Sequence, residues 1–230
     1  MKREISFLPQ SIIIVEHENV KHNRTPLLDA MIEYKNKNCT PFDVPGHKYG
    51  RGARELVEIF GEKALAMDFN SMNCLDMLSN PVSVIKEAES LLAEAYGADN
   101  GYFVVNGTSS AVKSMIMAVC KPGDKIIVPR NAHKSVVSAL IMSGAMPVYM
   151  QPEYDVNLGV FHGVDTDLAK KTIDAHSDAK AIFLINPTYY GAVSELRSIV
   201  EYAHRHDMAV LVDEAHGAHL KFHEDLPSSA

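Results

Sequence analysis

The sequence predicts an α/β fold, a mainly parallel sheet with helices on both faces, and three observations predict it. From about residue 100 onward, short apolar runs rich in β-branched residues alternate with longer segments of helical period. Glycine, proline and capping residues separate the two kinds of segment, as crossover connections between parallel strands require. The last run, Ala209-Val-Leu-Val212, stops abruptly on Asp213-Glu-Ala-His216, the pattern of a buried strand that delivers polar groups to a sheet edge.

Residues 1–24 hold a β-branched run, Ile12 to Val15, and then a polar stretch without helical period, which reads as an N-terminal arm. Thr25-Pro26 is a helix start, a capping residue followed by a residue pre-set for the first turn. The helix continues to about Lys37 with Leu27, Leu28, Met31 and Ile32 on one face. In Asp43-Val-Pro-Gly-His-Lys-Tyr-Gly-Arg-Gly52, proline and glycine forbid regular structure while His47, Lys48, Tyr49 and Arg51 supply polar groups. That loop suits a functional role and a solvated turn equally on spacing alone. Asn80-Pro81 signals a second helix, carried by Val84, Ile85, Ala88, Leu91, Leu92 and Ala95 until Gly97 closes it. Strands are then expected at 102–105, 125–128, 146–150, 181–185 and 209–212, and helices near 108–120, 133–143, 166–176 and 194–206, with Asp165 and Ser194 as caps. The predicted organisation is an arm over 1–24, a helix and loop segment over 25–80, and a sheet domain over 81–230.

Bulk composition removes several function classes. The 22 basic residues against 29 acidic ones give a net charge of −7 without a basic cluster, so no footprint for nucleic acid is present. Cys39, Cys74 and Cys120 form no C-x-x-C pair, which argues against a disulfide framework and a thiolate metal site and fits a reduced, cytoplasmic setting. The Ile12–Val15 run is too short for a membrane span.

Four of the strands lead into polar loops: Asn106-Gly-Thr-Ser-Ser110, Pro129-Arg-Asn-Ala-His-Lys134, Asn186-Pro-Thr-Tyr-Tyr-Gly191 and Asp213-Glu-Ala-His216. In a parallel sheet they share one edge. Gly107 to Ser110 opens a helix, and free N–H groups with hydroxyls there suit a phosphate, although the same residues are ordinary caps. His133 at a helix start is equally compatible with a purely structural role. Three chemistries compete for the whole set. Asp-Glu-Ala-His after a strand resembles the metal-holding box of a helicase motor, but the G-x-x-x-x-G-K-[ST] phosphate loop is missing. Asp213, Glu214, His216, His219 and His223 could together hold a hydrolytic metal, but H-E-x-x-H is absent. Pyridoxal phosphate needs a helix start for its phosphate, a flat group over its ring and a carboxylate at its pyridine nitrogen; Gly107 to Ser110, His133 and Asp213 supply these in turn.

Asn106-Gly-Thr-Ser, Pro129-Arg-Asn-Ala-His-Lys-Ser135, Asn186-Pro-Thr-Tyr-Tyr-Gly191 and Val212-Asp-Glu-Ala-His-Gly-Ala-His219 resemble, in this order, the major domain of the bacterial ornithine/lysine/arginine decarboxylases. Pro122-Gly-Asp124, Thr25-Pro-Leu27 and Val44-Pro-Gly-His-Lys48 add to the likeness, which runs over nearly all of the chain after residue 24. The resemblance implies a fold-type I pyridoxal-phosphate domain and decarboxylation of arginine, lysine or ornithine in polyamine metabolism by a cytoplasmic homodimer. An aminotransferase or Cα-lyase, or a non-catalytic subunit-pairing fragment, is the alternative. It implies that Gly107, Thr108 and Ser109 hold the phosphate, that His133 stacks on the ring and that Asp213 meets the pyridine nitrogen. His216 and Thr188 would lie beside the cofactor, with no metal. The family links its cofactor to a lysine in a Ser-x-His-Lys motif, which does not occur here; Lys134 and Lys221 stand at other places in the pattern. The expectation is therefore the front part of a longer enzyme, inactive by itself.

Overall fold

The computed structural model describes residues 23–230, so the arm expected over 1–24 lies outside the described residues except for its last two. The chain divides into two compact units, one up to Phe103 and one from Val104 on. The first takes in the helix that the sequence reading grouped with the sheet domain.

In the first unit, α1 (Pro26–Asn36) packs on α4 (Val84–Tyr96), and two short helices, α2 (Arg54–Phe60) and α3 (Glu62–Leu65), lie between them in the chain. Helix α1 starts where Thr25-Pro26 predicts, but the cap works in reverse. The Thr25 side chain accepts no cap bond; its hydroxyl and its N–H donate to the Asp29 carboxylate at 2.9 and 3.2 Å. Helix α4 begins at Val84 rather than at Asn80-Pro81, because its start is fixed from outside by Asp76. The Asp76 carboxylate accepts from the N–H groups of Val82, Ser83 and Ile85, and of Met77, at 2.7 to 3.2 Å. Gly97 closes the helix in the left-handed conformation, as expected. In the 43–52 loop the polar groups are engaged with neighbouring residues: His47 Nδ1 accepts from Gly50 N–H while Nε2 donates to Asp68, and Arg51 donates to Asn38 Oδ1 at 2.9 Å. Lys48 donates to the Asp43 carbonyl, and Tyr34 and Tyr49 both stand edge-on to Phe69. The donors therefore bind the loop itself and the segments beside it.

The second unit is built on four parallel strands in the order β2-β1-β5-β6, namely Met146–Met150, Lys125–Pro129, Ala181–Ile185 and Ala209–Asp213. All four match the predicted positions. Alternation sorts their side chains between two cores. Ile126, Val128, Ala181 and Phe183 pack with Val112 and Ile116 of α5 (Thr108–Val119) and Val136, Ala139 and Leu140 of α6 (Lys134–Ser143). Ile127, Ile182 and Leu184 pack on the other face with Ala169 and Ile173 of α7 (Thr166–Ala175) and Ile199 and Ala203 of α8 (Leu196–His204). A two-stranded ribbon, β3 (Tyr154–Asp155) with β4 (Val160–Phe161), precedes α7. Asp165 caps α7 through Oδ1, which accepts from Asp167 and Leu168 N–H.

Two further expectations fail. Residues 102–105 form no strand: they pair with none among the described residues, and Tyr102 and Val105 are largely exposed. Their run of aromatic and β-branched residues favours a strand only where a partner ladder accepts it. Ser194 does not cap α8; Glu195 occupies that place without a side-chain bond, and Ser194 N–H instead donates to Asn186 Oδ1 at 2.9 Å. Among the described residues no helix is long and apolar enough to cross a membrane.

The Asp76 cap carries a pH signature. Burial by itself would raise its carboxyl, but the backbone donors of Ser83, Val82, Met77 and Ile85 outweigh burial and hold it well below the usual carboxylate range. A depressed folded-state pKa contributes stability above the unfolded value and loses it as pH falls through the folded one. Asp76→Asn tolerates the left-handed backbone but loses the charge and one of the two acceptor oxygens, so it should be less stable than the wild type at neutral pH. Urea midpoints of the two proteins should converge as pH falls below about 4, the ordinary aspartate range; a constant gap would contradict the cap.

Candidate functional site

The strand order reverses between β1 and β5, since the chain leaves β1 for β2 on one side and returns to β5 on the other. The carboxyl ends flanking such a reversal form the crevice where α/β proteins bind ligands. A cavity of about 480 Å³ lies there, lined by Thr108, Ser109, Asn131, His133, Ser135 and Asp213 with Ile185, Tyr189, Ala215 and His216. That volume suits a small cofactor.

Each wall has a local cause. The β5/β6 ladder pairs Ile185 with Asp213, and Asn186 N–H donates to the Asp213 carbonyl at 3.0 Å, so the acid sits at the last rung. Its side chain is buried, with 6% exposed, and Oδ1 accepts from Ala215 N–H at 3.0 Å, which fixes the carboxylate from its own turn. Gly217 ends that turn with no room for a side chain: a Cβ would lie 2.7 Å from Pro187 Cδ and 3.0 Å from Asn186 O. Glycine thereby lets the Asp213–Gly217 turn lie directly on the Asn186-Pro187 loop.

Helix α5 presents its first turn to the cavity. Gly107 precedes it at φ +71°, a conformation that glycine adopts without strain, and provides no side-chain cap. The helix start is thus left open, with the Thr108 and Ser109 side chains beside it. His133 caps α6: its Nδ1 accepts from Ser135 N–H at 3.2 Å, and Ser135 Oγ lies 2.9 Å away. With Nδ1 engaged as acceptor, the neutral ring carries its proton on Nε2. The structural and the cavity-lining readings of His133 therefore coexist in one residue.

Of the residues singled out in the sequence, Thr108, Ser109, His133, Asp213 and His216 line this one cavity, and Gly107 adjoins it. Thr188 does not line it. It is buried in the loop beside it, with Oγ1 accepting from Ala192 N–H at 3.2 Å, and faces an adjoining pocket. Asn131, Ser135 and Tyr189 were not singled out, although each lies within two residues of His133 or Thr188 in the motifs quoted above. Among the described residues, no three of histidine, cysteine, aspartate or glutamate converge, and Asp213, Glu214, His216, His219 and His223 do not come together as one group. The arrangement offers an anion seat at a helix start, an imidazole plane and a buried carboxylate.

Residues 25–230 match the family model for the Orn/Lys/Arg decarboxylase major domain. The chain is 51% identical over 207 residues to an arginine decarboxylase of Bacillus anthracis, covering 90% of this chain and 42% of that protein. It is 47% identical over 212 residues to an arginine decarboxylase of Bacillus subtilis, covering 92% and 43%. To a lysine decarboxylase of Pseudomonas aeruginosa it is 30% identical over 218 residues, covering 86% and 29%. Among solved structures, lysine decarboxylase A from Pseudomonas aeruginosa superposes with a TM-score of 0.77 at 28% identity, over 86% of this chain and 29% of that one. The constitutive lysine decarboxylase of E. coli gives 0.73 at 25%, over 87% and 30%. The chain thus spans less than half the length of these relatives.

The close approach at Gly217 can be tested directly. Gly217→Ala should cost about 1–3 kcal/mol, as overpacking against unyielding backbone does. Gly107→Ala meets nothing within 4 Å and should cost only the backbone penalty of φ +71° with ψ −175°, a region that only glycine adopts readily, about 1–3 kcal/mol. Chemical denaturation measures both costs, and a Gly217→Ala as stable as the wild type would contradict the close approach.

Proposed function

We propose, since this chain belongs to the Orn/Lys/Arg decarboxylase family through its major domain, that the whole protein removes the α-carboxylate of a basic amino acid as carbon dioxide. The parallel sheet between helical layers is the fold-type I large domain, and pyridoxal phosphate is the cofactor of the family. The observation that carries the reading is the convergence, in one cavity, of the α5 start, His133 and the buried Asp213. The donor set fits the group. A phosphate dianion suits the open, positive end of α5 with two hydroxyls, and a protonated ring nitrogen suits a buried carboxylate.

When bound, the cofactor supplies an electron sink for the pair left behind as the carboxylate departs. The residues of this chain prepare that sink. Thr108, Ser109 and the first N–H groups of α5 hold the phosphate, and Gly107 leaves its approach clear. His133 offers a flat ring whose orientation is set by its bond to Ser135. Asp213, held by Ala215 N–H, keeps the proton on the pyridine nitrogen; its burial strengthens this pairing relative to water. His216 closes the side of the cavity, and Thr188 braces the loop that carries Tyr189.

Both arginine decarboxylases are closer in sequence than the lysine decarboxylase, which supports arginine as the substrate. We place the reaction in polyamine metabolism, because a decarboxylated basic amino acid is a diamine or its guanidino counterpart, and in the cytoplasm, which the lone cysteines support. A homodimer is supported by the exposed Val137, Ile141 and Met142 on α6.

Assay of the complete protein with arginine, lysine and ornithine should release carbon dioxide fastest from arginine; release from none of the three would overturn the assignment. Asp213→Asn should still bind pyridoxal phosphate while turnover falls about a hundredfold or more, the scale of losing one preorganised charge contact. The two roles of His133 separate in a pair of variants. His133→Asn keeps a cap and loses the ring, so it should melt near the wild type but bind cofactor poorly; His133→Phe should do the reverse.

A further inference from the structure

Tyr189 has no role so far, yet it stands where two cavities meet. It lines the main cavity and also a pocket of about 310 Å³ walled by Pro187, Thr188, His219 and Leu220. His216 lines both as well. The two rings are therefore a partition between the spaces. Their centroids lie 5.4 Å apart at 84°, and Tyr190 supports Tyr189 from another side at 5.3 Å and 89°. Edge-to-face geometry is the favourable one for such rings, with the positive edge of one on the negative face of the other. Tyr189 keeps 77% of its surface exposed, so it is not filling the core.

The adjoining pocket has Pro187, Val193, Leu220 and Pro227 against Thr188 and His219, with no carboxylate in its walls. It is not built to grip the distal cation of a basic amino acid. What the partition does is confine the contents of the larger cavity.

We propose that Tyr189 is a positioning residue, whose ring holds the His216 imidazole upright in the cavity wall and so keeps the flat cofactor from slipping toward the adjoining pocket. This rests on the pyridoxal-phosphate reading above. Titrating pyridoxal phosphate into the complete protein, followed by the absorbance and fluorescence of the bound cofactor, tests it. The wild type and Tyr189→Phe, which keeps the ring, should bind alike. Tyr189→Ala should bind about 2- to 10-fold more weakly, the range an aromatic pair spans, with a shifted spectrum and an unchanged melting temperature. His216→Ala should show a similar loss, and the double variant should be no weaker than the worse single, since the two act as one unit. Additive losses, an unaffected Tyr189→Ala, a fall in melting temperature that accounts for its loss, or a Tyr189→Phe as weak as the alanine would each overturn the proposal while leaving the cofactor reading intact. A wild type that takes up no pyridoxal phosphate would overturn both.

Discussion

The site depends first on the parallel register of β5 and β6, in which Ile185 lies opposite Asp213. Side chains along a strand alternate between faces, so a slip of one residue would turn the Asp213 carboxylate to the other side of the sheet. It would also carry the Asp213–Gly217 turn away from Asn186-Pro187, against which Gly217 fits without room for a methyl group. The buried rows Ile182 and Leu184 on one face and Phe183 on the other make such a slip expensive, since each would leave its core for the opposite one. Core packing and site geometry are thus enforced by the same ladder.

Around that ladder, residues serve two purposes at once. His133 caps a helix with one ring nitrogen while the ring lines the cavity. Asp213 ends a strand, orders the following turn through Ala215 and still faces the cavity with its carboxylate. Economy of this kind links local folding to chemistry. A substitution that disturbs the cap or the turn also disturbs whatever the cavity holds, which is why variants that separate the two purposes are informative.

The four sheet strands and the helices between them were legible because strands covered on both faces read as short continuous apolar runs, which stand apart from the 3.6-residue period of the helices. The site was legible wherever a motif residue sits at a strand end or a helix start. What escaped the sequence depends on partners that composition does not reveal. Residues 102–105 have a strand's pattern but no ladder. Asp76, several residues ahead of α4, supplants the expected start at Asn80-Pro81 because its left-handed backbone aims the carboxylate at the helix end. The 43–52 loop looked like a set of free donors, yet His47, Lys48 and Arg51 are spent on their own neighbours. Tyr189 was hidden because one exposed tyrosine after another carries no pattern at all.

The Asp76 cap also bears on the order in which the chain folds. All its hydrogen bonds reach residues no further along than Ile85, so the start of α4 can be set by one short, contiguous stretch of chain. The central pair of the sheet is the opposite case. Ile126 meets Ala181 only after α6, β2, the β3/β4 ribbon and α7 have been made between them, and closing so long a loop costs entropy before any contact repays it. Helix α4 thus needs only a local stretch of chain to set its start, while the crevice that holds Asp213 requires β5 to join a strand more than fifty residues before it.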